Sequence, residues 1–569
     1  MIDRARATNA TVAGLLRQLA TVLTLEGESP FKSKAYRRAA ETIESLEQNV
    51  SELVQSGSDL TELAGVGDAI AAKIVEIVSS GHLKSLDKKL SALSPEIAEL
   101  ASRPRLDPKV VLRVYKKLRI GSLSELAENL ESGRVVAELG SRVAFQVRRG
   151  LDDRPRMLLY DALPISDAIE AHMRKGPGVL RISRSGSLRR LEETVADLNF
   201  LVSSRTAKAA FDHFEKFGSV QSRNLINKAT CRFQLSSGLS STIKWSADEI
   251  WGFSLLMETG SKAHLDELRR HAKSKKRTLS AASLKRAKVD LTDEGAIYRS
   301  LKLEEIPPEL REGRGETEAA LKGKLPKLIT AGDLRGDLHM HTTASDGRNS
   351  LKEMAEAAKR KGYSYIAITD HSQSLKITNG LSERRLLAHI KAIDKLNTHF
   401  RGFTILKSAE VDILEDGSLD YSDGVLRELD LTICSIHSRF ALNREQQTER
   451  ILRAMDNPYF NILGHATGRL LLKREGYDFD MERVLEKAIA NGCFFEINSS
   501  PDRLDLSDEN AKRSKEAGLM LAVNTDAHSI RELDFLEAGI RQARRAWLEP
   551  KDVLNCLPLT KLRKRLRRL

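Results

Sequence analysis

Between residues 335 and 569, short apolar runs alternate with amphipathic stretches, and most of the runs end in the same way. Asp337-Leu338-His339-Met340-His341 closes on two histidines, and Tyr365–Thr369 runs into Asp370-His371. Thr404–Ala409 meets Glu410, Leu431–Ile436 meets His437, Phe460–Gly464 meets His465, and Met520–Thr525 meets Asp526-Ala527-His528. Another run, Cys493–Asn498, ends in Ser499-Ser500. Strand-like and helix-like segments in alternation predict βα units. A parallel α/β barrel then gathers at one rim whatever stands at the C-terminal ends of its strands. Residues i and i+2 of a strand share a face, so His339 and His341 can grip one cation side by side, with Asp346 reaching in from the following loop. A lone His-x-His is weak evidence. Six histidines with Asp346, Glu410 and Asp526 at one rim are a constellation with metal chemistry. His389 and His399 fall outside it, on an expected helix.

A chain of 569 residues exceeds what one core can organise and implies about three or four domains. Its formal charge of +13 points to a polyanionic partner such as DNA or RNA, while an aromatic share of 5% argues against base stacking as the main contact. Cys231, Cys434, Cys493 and Cys556 are scattered, which excludes a disulfide framework or a cysteine zinc site and suits a reducing cytoplasm. The first residues lack signal-peptide form, and no apolar run approaches the ~20 residues of a membrane span. The expectation is a cytoplasmic, nucleoid-associated monomer.

Within a first domain over 1–85, residues 8–80 read as helical. Phe31–Ala39 forms a basic face that includes Lys34, and Leu63-Ala64-Gly65-Val66-Gly67 separates two apolar helical segments. Glycines there permit a tight turn whose N–H groups can face a phosphate, with Lys73 adding charge along the second helix. That is the helix-hairpin-helix pattern of DNA binders. In residues 86–150 the glycines are replaced by Arg105-Leu106-Asp107-Pro108 and Leu139-Gly140-Ser141, which should not bind phosphate.

From 151 to 320 the pattern becomes mixed α/β. Gly186-Ser187, Arg189-Arg190 and Thr259-Gly260-Ser261-Lys262-Ala263-His264 resemble the bacterial family X DNA polymerases of the polymerase beta type. The resemblance implies a nucleotidyltransferase palm whose Gly-Ser loop and arginines cradle a triphosphate. It also implies three carboxylates for two cations, as Asp-x-Asp and a third aspartate. Here Asp197 is present, but Asn199 and Thr242 occupy the other two places, and Mg²⁺ is not expected to bind. Met257-Glu258 replaces aromatics and Glu192 a lysine; Glu193 and Asp248 stand nearby as weak substitutes. The site reads as vestigial. After a basic stretch at 267–289, residues 321–334 read as a linker.

Residues 335–569 resemble the PHP (polymerase and histidinol phosphatase) domain. The resemblance implies a distorted seven-stranded barrel that holds three metals, Zn²⁺ or Mn²⁺, through His339, His341, Asp346, His371, Glu410, His437, His465, Asp526 and His528. Glu410 would bridge, Glu410 and Asp526 would serve catalysis, and Arg439, Arg469 and Arg503 would grip phosphates, with Lys473 a weaker candidate. Asn379 and Gly380 would shape the rim. The basic tail 561–569, with leucines at 562, 566 and 569, reads as a helix end packed by leucines or as an extra phosphate contact. The resulting expectation is a DNA-binding 3′–5′ exonuclease or 3′-end-processing repair enzyme. The alternatives are a bifunctional polymerase plus exonuclease and a histidinol-phosphatase-type enzyme.

Overall fold

The computed structural model describes residues 9–26, 28–44, 50–63, 65–92, 108–120, 122–151, 156–236 and 238–566. Ala64, Arg105-Leu106-Asp107 and the tail end Arg567-Arg568-Leu569 lie outside them. The chain forms two compact units, Met1–Pro155 and, apart from the stretch 473–475, the remainder from Arg156.

The first unit is helical and has two cores. Helices Asn9–Leu25, Pro30–Glu44, Val50–Gln55, Asp68–Ser80 and Lys84–Ala92 enclose Leu16, Leu19, Ile43, Ile74 and Ile77. On Pro30–Glu44 the buried residues Ser33, Tyr36, Ala39 and Ala40 follow the helical period, leaving Phe31, Lys32, Lys34, Arg37 and Arg38 exposed. Of the two aromatics on that helix, only Phe31 therefore belongs to the basic face. Gly65 has φ +80°, and a Cβ there would lie 3.0 Å from Cγ of Arg38. Gly67 starts the helix Asp68–Ser80, and Lys73 Nζ donates to Ser85 Oγ at 3.2 Å. A second core of Val111, Val114, Leu126, Val135 and Val147 lies within helices Pro108–Leu118, Leu123–Glu131, Arg134–Leu139 and Ser141–Leu151.

The second unit begins with a two-stranded pair, β1 (Met157–Leu158) and β3 (Thr194–Val195). Its main sheet contains β2 (Val179–Arg184), β4 (Asp197–Ser204), β5 (Val220–Asn227), β6 (Thr230–Leu235) and β7 (Ser240–Ser246), in the order β2-β4-β7-β6-β5. Only β4 and β7 run parallel. Phe200, Phe211, Phe214 and Phe233 fill the core beneath this palm, and a helical thumb follows from Trp251 to Leu321.

Seven parallel strands then follow in sequence order: β8 (Gly336–Asp337), β9 (Tyr365–Ile368), β10 (Thr404–Asp412), β11 (Leu431–Ser435), β12 (Ile462–Leu463), β13 (Phe494–Asn498) and β14 (Leu521–Asn524). A parallel bridge between Met340 and Ala527 brings the first strand's continuation against the last, so the sheet is a nearly closed barrel. Strands β9, β11, β13 and β14 are buried along their length, as expected of a sheet covered on both faces. Leu338, Tyr365, Ala367, Leu406, Ile433 and Ala522 pack inside, joined by Leu562 and Leu566 from the last helix. The tail leucines therefore plug the barrel's floor, and its open end is the C-terminal rim.

β8 and β12 are shorter than their apolar runs suggested. The backbone leaves the ladder early to aim the residues that follow. Gly464 permits this, since a Cβ there would lie 2.5 Å from Ser435 Oγ. His465 then takes φ +28° and Asp526 φ +55°, left-handed conformations that side-chain-bearing residues seldom adopt. Strain at two rim residues is what a site held by its surroundings shows.

Candidate metal centre

Glu410, on the long strand β10, is the hub of the rim. His371 Nδ1 lies 2.8 Å and His465 Nε2 2.9 Å from its carboxylate, His437 Nε2 3.3 Å, His339 Nε2 3.5 Å and His341 Nε2 3.6 Å. Asp526 forms a second focus, 3.1 Å from His341 Nε2 and 3.4 Å from His339 Nε2. Asp346 is the third, with His528 Nε2 at 3.5 Å, His371 Nε2 at 3.6 Å and His341 Nδ1 at 3.9 Å. Among the described residues, three groups have the proximity to hold a metal ion: His341-Asp346-His371-His528, His339-His341-Asp526 and His371-Glu410-His437. The structure thus brings together all nine residues singled out from the sequence, His465 through its contact with Glu410.

The donor set fits divalent cations. Buried His339 Nε2, His341 Nδ1, His371 Nδ1, His465 Nδ1 and Glu410 Oε2 make no directed hydrogen bond, and such atoms are costly unless something else satisfies them. Imidazole and carboxylate without thiolate suit borderline ions. Burial alone would discharge Glu410, His339 and His371, but the opposite charges around them hold them charged. Despite desolvation, His371, His437 and His339 keep the Glu410 carboxyl well below its ordinary range. The carboxylates of Glu496, Asp526 and Glu410 likewise raise His339. His371 rises to about 10 and His528 to about 9 against the same burial, while His341, buried beside His528 and His371, falls to about 4. A pocket that attracts protons this strongly has the field to attract metal cations.

Outer partners fix the rings, and the apolar-run pattern did not reveal them. Glu496, inside β13, takes His339 Nδ1 at 2.7 Å, and Asp412 takes His437 Nδ1 at 2.5 Å. The Asp526 carbonyl takes His528 Nδ1 at 2.8 Å. Each contact turns Nε2 toward the centre. Asn498 Nδ2 donates to Asp526 Oδ2 at 3.0 Å. Buried Asp370 accepts from Thr342 N and Ser345 Oγ, at 2.9 and 2.6 Å, and so shapes the loop that delivers Asp346. His389, set aside in the sequence as a helix residue, reaches Asp370 at 3.1 Å and belongs to this support. For Asp412 and Asp370 the available signal was a carboxylate one or two residues from a rim position.

The arginines differ. Arg503 Nε lies 3.7 Å from Asp526 Oδ2. Arg439 is exposed and paired with Glu415 at 2.9 Å. Arg469 is committed to Glu193 through two bonds of 3.1 and 2.7 Å and to the Leu504 carbonyl. Asn379 and Gly380 brace the rim through Arg385, which also bonds the Ala344 carbonyl at 2.6 Å.

In the palm, Asp197 and Asn199 face a cavity of about 420 Å³ with Thr242, which pairs with Asn199 across β4 and β7. Asn199 Nδ2 donates to Asp197 Oδ1 at 2.7 Å, and Lys244 pairs with Glu258 across the same cavity. Glu193 is held by Arg469, and Asp248 by Arg181 at 3.0 Å. In the loop after β2, Gly186 takes φ +58° and opens the single helical turn Gly186–Arg189, which includes Ser187. Arg189 forks onto Glu294 at 3.0 and 2.5 Å, while Arg190 binds Glu312 at 3.0 Å and also Glu192. Both arginines of this loop are thus occupied by carboxylates.

Fold and site together define a class, a PHP-type phosphoesterase barrel joined to a polymerase beta-like palm and thumb. Family comparison agrees: residues 7–83 match the helix-hairpin-helix domain, 254–312 the DNA polymerase beta thumb and 337–500 the PHP domain. Asp526 and His528 lie beyond the last match, and the structure brings both to the rim as the sequence pattern suggests. The chain is 34% identical over 557 residues to the DNA polymerase/3′-5′ exonuclease PolX of Bacillus subtilis (strain 168), covering 96% of this chain and 97% of that one. A probable phosphatase of Thermoanaerobacter sp. (strain X514) is 32% identical over 230 residues, 38% of this chain and 89% of its own length. The chain belongs to the PolX family of PHP-bearing family X polymerases.

Proposed function

We propose that this protein is a DNA-binding 3′–5′ exonuclease and 3′-end-processing enzyme that works from the barrel rim, with polymerase chemistry lost. The observation that carries the reading is a contrast in charge. Nine metal-type side chains converge on the rim, whereas the palm strands keep one carboxylate, already bonded by Asn199. The domain reading is a hairpin DNA-binding domain over 1–85, a degenerate hairpin region over 86–150, a palm and thumb over 151–320, a linker over 321–334 and the barrel over 335–569.

His339, His341, Asp346, His371, Glu410, His437, His465, Asp526 and His528 would hold three divalent ions, Zn²⁺ or Mn²⁺, with Glu410 bridging. Such ions supply Lewis acidity toward a phosphoester and lower the pKa of water. The protein's own part is to aim and to grip. Glu496 and Asp412 lock the rings of His339 and His437, and Arg503 offers a planar fork beside Asp526 for a phosphate oxygen. Arg439 stands farther out as a second grip. Gly65, Gly67, Lys73 and Lys34 are the proposed phosphate contacts of the hairpin domain. The +13 charge supports DNA as partner and predicts salt-sensitive affinity. Among the described residues no helix is long and apolar enough to cross a membrane. A cytoplasmic, nucleoid-associated monomer is the reading we adopt.

The test is end-labelled single-stranded, duplex and gapped DNA with dNTPs added in parallel. Shortening from the 3′ end, abolished by prolonged EDTA and restored by Mn²⁺ or Zn²⁺, is expected. Primer extension abolished by Asp197→Ala would instead establish the bifunctional reading. The phosphatase relatives favour a second alternative, which faster turnover of histidinol phosphate than of DNA ends would establish.

A further inference from the structure

Two residues that the sequence suggested for different sites turn out to bind each other. Glu193 stood as a possible substitute metal ligand in the palm, and Arg469 as a phosphate grip in the barrel. In the structure Glu193 receives both Arg469 η-nitrogens, and its Oε2 also accepts from Gln542 Nε2 at 3.3 Å. Both donors continue to the same place. Arg469 Nη2 donates to the Leu504 carbonyl, and Gln542 Nε2 reaches the carbonyls of Leu504 at 3.4 Å and Leu506 at 3.2 Å. Leu158, also from the palm, packs against Leu471, Leu504 and Ala538 in a small apolar cluster beside this network. The gripped segment carries Arg503, whose Nε lies 3.7 Å from Asp526 Oδ2.

We propose that Glu193 is a positioning residue of the barrel's reaction. A carboxylate on the palm fixes Arg469 and Gln542, these hold the Leu504 carbonyl, and the loop then presents Arg503 beside Asp526, on the side from which a phosphate must approach. The pair is only partly exposed, and its forked geometry is the kind that resists solvent screening. The palm has thereby become a structural part of the rim, which gives a polymerase-shaped module lacking its metal triad a reason to persist. The inference rests on the proposed phosphoester hydrolysis at the rim.

The test uses Glu193→Gln and Glu193→Ala in the full chain, alone and combined with Arg503→Ala. Single-turnover trimming of 3′-labelled single-stranded DNA should slow roughly 10- to 100-fold in Glu193→Ala, the scale of a small misplacement of a binding group, and less in Glu193→Gln. In the Arg503→Ala background the further loss should vanish, because Glu193 acts through Arg503. Bound metal should stay unchanged, while hydrogen exchange of amides 502–506 accelerates and that of 494–498 does not. Rates within twofold of the parent in both variants, or an undiminished loss without Arg503, would overturn the proposal. Should Glu193→Ala fail to fold, Glu193→Gln carries the comparison. If the parent protein does not trim DNA but hydrolyses p-nitrophenyl phosphate, the exonuclease reading fails, and the same cycle on that ester still decides the role of Glu193.

Discussion

Two pairs of parallel strands in this molecule set polar side chains side by side. At β10 and β11, Glu410 and the His437 that follows the second strand lie 3.3 Å apart, and four further histidines reach the same carboxylate. At β4 and β7, Asn199 pairs with Thr242 in an equally regular register, and Asp197 beside them meets only an amide. The backbones offer comparable platforms. What differs is the number of charges placed on them, and a dication is held by charge and donor count far more than by strand geometry. The arginines repeat the lesson, since Arg503 points into the rim while Arg189 and Arg190 are consumed by Glu294 and Glu312.

The contrast breaks most sharply at its hub. Glu410→Gln keeps the shape and removes the charge that five imidazoles share. Because losing even an outer partner costs a metal site about 10- to 100-fold, hydrolysis should fall by more than about 100-fold. DNA affinity by fluorescence anisotropy should hardly change; retained hydrolysis would remove the barrel from the reaction. Glu496→Gln leaves every direct ligand in place but weakens the orientation of His339, so metal affinity by competitive chelator titration should drop about 10- to 100-fold. Unchanged affinity would mean that Glu496 only fills the core. Gly65→Val sharpens the comparison from the other unit. It forces a β-branched residue to φ +80° against Arg38 and should cost about 1–3 kcal/mol of local strain. Weaker DNA binding with intact turnover of a small phosphoester would show that the hairpin recruits DNA and the rim cleaves it.

Much of the rim was legible because parallel strands advertise themselves as apolar runs, and a barrel's topology sends every run's end to one place. All nine proposed ligands stand at or just past such ends. Glu496 and Asp412 were hidden because they sit inside strands, where a carboxylate looks like an exception until its histidine partner, 157 or 25 residues away, is known. His389 was hidden for a related reason, since helical spacing does not say which turn faces Asp370. The fates of Glu193 and Arg469 could not be read at all. Their bond spans 276 residues and depends on how palm and barrel pack, which no local pattern encodes.

The smallest expected effect tests the other side of the comparison. Asp197→Ala removes the last carboxylate of the palm triad. Were the palm still a two-cation site, that loss would abolish chemistry there and could disturb DNA handling throughout. On the proposed reading Asp197 has a different role. Its Oδ1 accepts from Asn199 Nδ2, its cavity already contains the Lys244–Glu258 pair, and no imidazole or second carboxylate joins it on β4 or β7. Removing one partner of a partly exposed hydrogen bond costs about 0.5–1.5 kcal/mol, a modest fraction of a domain's stability. Trimming rates should therefore stay within about twofold of the parent's, with the unfolding midpoint lowered by a few degrees at most. A larger fall in trimming would mean that the palm still contributes charge to the reaction, and the division of labour between the two strand pairs would have to be redrawn around Asp197.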